Sequence, residues 1–136
     1  MKLAADTSVL VASFASWHEH HEVALEAIAR LDVVVSHCLL ETYSVLTRLP
    51  TPHRMAPSIV SQFLQLAFKD HAVIALSAAE QRALVPRCAT HGIAGGMVYD
   101  GLIASTCMEH RVRLLTLDAR ARQTYAALGV DHELLA

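Results

Sequence analysis

The sequence predicts an α/β fold: one domain over residues 1–136, with a central, mainly parallel β-sheet flanked by α-helices. Three observations lead there. Short aliphatic runs alternate with segments of helical period, which is the pattern of strand–helix–strand units. The chain is 54% apolar but only 5% aromatic, so its core is expected to consist mainly of Ala, Val, Leu and Ile, as where helices pack on a parallel sheet. No internal repeat, low-complexity tract or linker divides it.

Taken in order, Lys2 to Ala5 is a short apolar strand ending at Asp6-Thr7-Ser8, a polar trio that can cap a helix beginning near Val9. From Glu19 to Arg30 the residues Val23, Ala24, Ala27, Ile28 and Leu31 recur at helical spacing, with Glu22, Glu26 and Arg30 opposite. Val33-Val34-Val35 is a β-branched run suited to a buried strand. Leu39, Leu40, Tyr43, Leu46 and Leu49 then follow a helical period that Pro50 and Pro52 end. Pro57 can open the next helix, whose apolar face is Ile59, Val60, Phe63, Leu64 and Ala67. The apolar surface around Phe63, Leu64 and Phe68 is core by default, and a dimer or partner surface otherwise.

Val73 to Leu76 gives a third strand, and Ser77-Ala78-Ala79-Glu80 resembles a capping box opening a helix. After the loop His91–Gly96, helical periodicity runs from Met97 to about Glu109. The Gly95-Gly96 pair does not complete a phosphate-binding loop, and close packing at a helix start is the expected reason for it. Leu114 to Leu117 is the fourth strand. A last helix follows Asp118 and is closed by Gly129, and Val130 to Leu134 can form a short edge strand.

Eleven Lys and Arg face thirteen Asp and Glu, for a net charge of −2, so no broad basic field exists to hold a polyanion. No apolar run approaches the roughly 20 residues of a membrane span, and Met1 to Ala5 meets an Asp too early for a signal core, so a cytoplasmic protein is expected. Cys38, Cys88 and Cys107 are odd in number and widely spaced, which suggests buried free thiols rather than a disulfide framework or a zinc site.

Nine of the thirteen acids sit among polar neighbours or at element ends. The other four lie in apolar company: Asp6 after Leu3-Ala4-Ala5, Glu41 after Cys38-Leu39-Leu40, Asp100 after Met97-Val98-Tyr99, and Asp118 after Leu114-Leu115-Thr116-Leu117. A carboxylate leaving water without a partner costs several kcal/mol, so each needs pairing, protonation or a cation. Asp6 and Asp118 end strands, where doubly wound sheets place their ligands, and Glu41 and Asp100 can reach the same crevice from helices. For any one of them a helix cap or an arginine pair would do. For the four together, a hard oxygen-seeking cation, Mg²⁺ or Mn²⁺, is the natural compensation, and one or two such ions suit phosphodiester hydrolysis without a nucleophilic side chain. With those four acids set aside, the remaining nine are outnumbered by the eleven bases. Ser8 and Thr116 each stand two residues from a strand-end Asp, where they can orient a carboxylate or serve simply as caps.

This arrangement resembles the PIN domain, and more narrowly the VapC-type toxins of bacterial toxin–antitoxin pairs. The similar parts are the strand entering Asp6-Thr7-Ser8-Val9-Leu10, the helical Leu40-Glu41-Thr42-Tyr43, the segment Tyr99-Asp100-Gly101-Leu102-Ile103-Ala104, and Leu115-Thr116-Leu117-Asp118. The resemblance implies a Mg²⁺- or Mn²⁺-dependent endoribonuclease acting on structured RNA such as tRNA or ribosomal RNA, with Asp6, Glu41, Asp100 and Asp118 as metal-holding catalytic residues. It further implies homodimerisation and inhibition by a VapB-like antitoxin, which offers a basic side chain to the acidic site and carries the DNA-binding domain, so that DNA is met only indirectly. Gly101 departs from the pattern where a helix former such as Ala is more usual, at about 1 kcal/mol to the helix bearing Asp100. Ala121 stands where a large apolar residue is common.

Other features have plainer explanations. His18-Glu19-His20-His21 lacks the i, i+4 histidine pair of a HExxH motif and is read as a helix entrance beside Trp17. Arg48, His53, Arg54, Arg111, Arg113, Arg120 and Arg122 are candidate phosphate contacts, although most such arginines are solvated or paired. The rival function is a catalytically silent PIN-like module binding RNA or protein. A haloacid dehalogenase-type phosphatase would want DxD where Asp6-Thr7-Ser8 stands, and a receiver domain would want a late Lys, whereas none follows Lys69.

Overall fold

The N-terminal strand β1 (Lys2–Ala5) runs into the interior and stops at Asp6, whose carboxylate accepts the Ser8 amide and so caps helix α1 (Thr7–Phe14). The computed structural model describes residues 1–136. Helix α1 begins two residues earlier than the first apolar repeat suggests, because the cap is Asp6 itself. Helix α2 (His21–Ile28) is shorter than its periodicity, and β2 (Val33–Val35) is buried throughout. Helix α3 (Ser36–Thr47) follows it without a loop, α4 (Pro57–Ala67) carries Pro57 in its first turn, and β3 spans Ala72–Ile74. The Ser77 hydroxyl accepts the Glu80 amide to open α5 (Ala78–His91). Then come α6 (Met97–Glu109), β4 (Val112–Thr116), α7 (Ala121–Leu128), ended at Gly129, and β5 (His132–Leu134).

Every strand pairing is parallel: β1 with β4, β4 with β5, and β2 with β3. The hydrogen-bonded ladder is nevertheless split into a three-stranded and a two-stranded part, with β2 lying beside β1. Asp32 bridges the seam. Its amide donates to the Leu3 carbonyl at 3.0 Å, and its Oδ2 accepts the Leu3 amide at 2.8 Å. A side chain therefore stands in for one rung of an otherwise continuous sheet, a role its position at a strand entrance does not announce.

The buried cluster is dominated by Ala, Val, Leu and Ile from the strands and the inner helix faces, with Phe68 and Tyr125 as its aromatic members. Phe63 of α4 packs its ring 4.1 Å from that of Phe14, and Phe68, which follows the helix, is buried. Cys38, Cys88 and Cys107 are free and buried. The close packing expected at Gly95-Gly96 is not found, since a Cβ at either position would meet nothing within 4 Å. Gly95 is there for its backbone, at φ +60°, which an L side chain adopts only with strain. No helix is long and apolar enough to cross a membrane.

Candidate active site

Parallel strands β1 and β4 pair in register, so their carboxyl ends release Asp6 and Asp118 on the same edge of the sheet. Helix α3 brings Glu41 to that edge and α6 brings Asp100 in its first turn. All four acids line one open cleft of about 530 Å³, together with Thr7, Ser8, His18, Arg48 and Arg120. A neighbouring depression shares Asp100, Asp118 and Arg120 and extends the cleft toward Gln123.

Asp6 is the most deeply placed, only 3% exposed. Its Oδ1 accepts the Ser8 hydroxyl at 2.5 Å and the Ser8 amide at 3.1 Å. Its Oδ2 accepts the Thr116 hydroxyl at 2.5 Å and the Tyr125 hydroxyl at 2.7 Å. The two small hydroxyls also accept amides from the turn after β4, Ser8 from Leu117 at 2.9 Å and Thr116 from Asp118 at 3.0 Å. Ser8 and Thr116 thus bond at once to the turn backbone and to Asp6, so the cap and orienting roles coincide. Burial raises the pKa of Asp6, and the hydroxyls of Ser8, Thr116 and Tyr125 partly offset that rise. Burial and the Asp6 charge raise that of Tyr125, which stays a proton donor.

Glu41 is held differently. The Thr7 hydroxyl donates to its Oε1, and His37 Nε2 lies 3.6 Å from its Oε2, one helical turn back. His37, Thr7 and the more distant Arg48 hold the Glu41 carboxyl below its ordinary range against the opposing effect of burial. The His37 ring in turn stacks on Tyr99 at 5.2 Å, with planes 4° apart, which ties α3 to the start of α6.

Asp118 caps the turn before α7, its Oδ1 accepting the Arg120 amide at 2.9 Å, while the Arg120 guanidinium stays 3.9 Å away and almost wholly exposed. Asp100 is the least compensated of the four. Half-buried, it accepts no side-chain hydrogen bond, and desolvation, followed by the charges of Asp6, Asp118 and Glu41, raises its pKa to about 6, against a smaller opposing pull from Arg120.

As a ligand set, the cleft offers carboxylate and hydroxyl oxygens and no thiolate: Cys38 and Cys107 are buried thiols, with burial raising Cys38 well above its ordinary value and Cys107 to about 12. Oxygen donors with surplus negative charge fit a hard divalent cation such as Mg²⁺ or Mn²⁺. The side chains stand around the cleft without three of them closing into a ready-made cluster. The histidine-rich segment belongs to the helix entrance: His21 Nδ1 lies 2.8 Å from the Ala12 carbonyl, and His18 Nδ1 accepts the His20 amide at 3.0 Å. His18 nonetheless reaches the cleft wall, which its sequence neighbours did not suggest.

Sequence reasoning missed Tyr125, Thr7 and His37. Tyr125 lies 119 residues from Asp6 in a helix with little apolar character, and only its complete burial betrays it. Thr7 read as one member of a capping trio. His37 precedes Glu41 by four residues, and that spacing was the one available signal.

The strand-end acids, the intervening helices and the parallel order together define an α/β domain with an acidic cleft at its strand ends, and residues 4–127 match the family model of the PIN domain. The chain belongs to the PIN-domain family, and within it to the VapC type. It is 46% identical over 133 residues to "Ribonuclease VapC40" of Mycobacterium tuberculosis, covering 98% of each chain. It is 40% identical over 129 residues to "Ribonuclease VapC27" of the same organism, covering 94% of this chain and 93% of that one. Among solved structures, VapBC2 from Rickettsia felis, bound to a DNA fragment from their promoter, shares the fold at a TM-score of 0.70 and 16% identity over the whole of both chains.

Proposed function

We propose that this protein is a divalent-cation-dependent endoribonuclease that cuts structured RNA, tRNA or ribosomal RNA, as the toxin of a type II toxin–antitoxin pair. The observation that carries the reading is the meeting of Asp6, Glu41, Asp100 and Asp118 on one cleft, with Asp100 the least compensated of them. The names of its mycobacterial relatives, both ribonucleases, support RNA as the substrate.

In this reading the four carboxylates hold one or two Mg²⁺ or Mn²⁺ ions. When bound, the cation supplies Lewis-acid charge that stabilises the negative charge developing on the phosphate and on the attacking and leaving oxygens. The protein's own part is to hold the carboxylates still. Ser8, Thr116 and Tyr125 fix both oxygens of Asp6, and Thr7 and His37 aim Glu41, so little reorganisation remains once substrate arrives. Arg48 and Arg120 line the cleft beside the acids, where their guanidinium groups can contact the phosphates on either side of the scissile bond. The partner is a VapB-like antitoxin that offers a basic side chain to the same acids and alone contacts DNA, and the toxin acts as a homodimer in the cytoplasm.

The test is to incubate the purified chain with total bacterial RNA in Mg²⁺ or Mn²⁺, with and without chelator, beside Asp100→Asn, and to map new RNA ends. Discrete ends that require both the metal and Asp100 are expected. A folded, metal-binding protein that leaves several RNA pools uncut would instead be a silent PIN-like binding module.

A further inference from the structure

Trp17, the chain's one tryptophan, is not part of the core. It lies in the turn between α1 and α2 and is 48% exposed, so much of a large apolar ring stays in water where burial would have been favourable. One side of the indole is supported. The exposed His53 ring, from the loop after α3, lies 4.2 Å from it with planes tilted by 32°, and the His18 ring lies 6.0 Å away. His18 is the link to the acids, because the same residue lines the cleft that holds Asp6, Glu41, Asp100 and Asp118. Two exposed arginines flank this path: Arg48 lines the cleft with His18, and Arg54 follows His53 in the chain, its Nε donating to the Leu49 carbonyl at 2.9 Å.

Exposed, side-supported aromatic rings beside arginines and continuous with a phosphodiester-cutting cleft match the chemistry of an unpaired nucleobase, which offers a flat π-face next to an anionic backbone. We propose that Trp17, backed by His53, is a stacking platform for an unpaired base of the RNA strand held in the acidic cleft, with Arg48 and Arg54 contacting its phosphates. A base inside an A-form duplex has both faces occupied by its neighbours, so the platform selects loops, bulges and single strands over helical RNA. This inference rests on the ribonuclease reading and narrows its substrate to RNA with an unstacked nucleotide near the cut.

The lone tryptophan makes the contact directly visible. Asp100→Asn protein in EDTA, where cutting is suppressed, is titrated with a short single-stranded RNA, with the same RNA as a duplex, and with inorganic polyphosphate, while indole fluorescence is followed. Saturable quenching by the single strand, with little change from duplex or polyphosphate, is expected. Equal quenching by polyphosphate, or none by single-stranded RNA, would overturn the platform. In steady-state cleavage with Mn²⁺, Trp17→Ala should raise KM by about five- to a hundredfold with kcat nearly unchanged, and Trp17→Phe should recover most of the loss. Matching thermal melts keep that comparison free of folding effects. Wild-type cleavage with an unchanged KM in Trp17→Ala would overturn the platform and leave the nuclease standing, whereas single-strand-specific quenching without cleavage of any RNA would support the platform and remove the nuclease.

Discussion

Replacing Asp100 with Asn should make the protein more stable, with a gain that builds from about pH 4 and is complete above about pH 6. Asp100 accepts no side-chain hydrogen bond, so the amide sacrifices no contact, while the charge it removes is half-desolvated and faces Asp6, Asp118 and Glu41. The raised folded-state pKa sets the sign. Between about pH 4 and pH 6 the folded protein binds a proton that the unfolded chain has released, so stability falls as pH rises through that window. Above pH 6 the ionised group imposes its full cost, and below about 4 the cost is gone. A displacement from 3.8 to about 6 corresponds to about 3 kcal/mol in undamped form. Because the group is half exposed, solvent screening reduces this to about 1 kcal/mol. For a chain of this size that is a rise in Tm of about 3–5 °C. Thermal melts of both proteins in EDTA at pH 7.5 and pH 4.5 measure it: the Asn variant should melt higher at 7.5 and lose most of that gain at 4.5. A lower melt at pH 7.5, or a gain that persists unchanged at 4.5, would refute the claim that burial and the neighbouring acids hold the Asp100 carboxylate in the cleft at a cost.

Three further outcomes follow from the same geometry. Tyr125→Phe removes the 2.7 Å hydrogen bond to buried Asp6 while keeping the ring in place, and urea unfolding at pH 7.5 should show a loss of about 1.5–3 kcal/mol. Gly101→Ala should stabilise α6 by about 1 kcal/mol, because its Cβ would meet Leu128 Cδ1 at 3.5 Å and Cys88 Sγ at 3.6 Å, ordinary contact distances; a melt lowered by the substitution would contradict that fit. Mn²⁺ at a hundred times its Kd should stabilise wild type by about 2.7 kcal/mol, whereas Asp100→Asn at the same concentration should gain much less, as differential scanning calorimetry with and without the ion would reveal.

Much of this fold was legible because the core is periodic. The runs Lys2–Ala5 and Val33–Val35 have the bounds the sequence suggests, and the helix over Met97–Glu109 does too. Boundaries failed where a side chain overrode periodicity, as at Asp6, which starts α1 by capping it, and at Arg111, whose positive φ precedes a β4 beginning two residues earlier than the apolar run. The split ladder was not legible, since its bridge is one carboxylate, Asp32, among acids whose neighbours look ordinary. The site acids stood out as carboxylates in apolar company. The groups that hold them did not, because the bond from Tyr125 to Asp6 and the stack of His37 on Tyr99 join residues that no local pattern connects.

The most direct test of the central claim is the rate at which one defined RNA, spanning a mapped cleavage site, is cut by wild type and by Asp6→Asn, Glu41→Gln, Asp100→Asn and Asp118→Asn at saturating Mn²⁺ and again in EDTA. The account predicts that wild type cuts only with the ion and that each amide variant loses at least about a hundredfold in kcat, the scale on which a lost charge-stabilising group acts. Cleavage that persists in EDTA, or that survives in folded Asp100→Asn at near the wild-type rate, would contradict it.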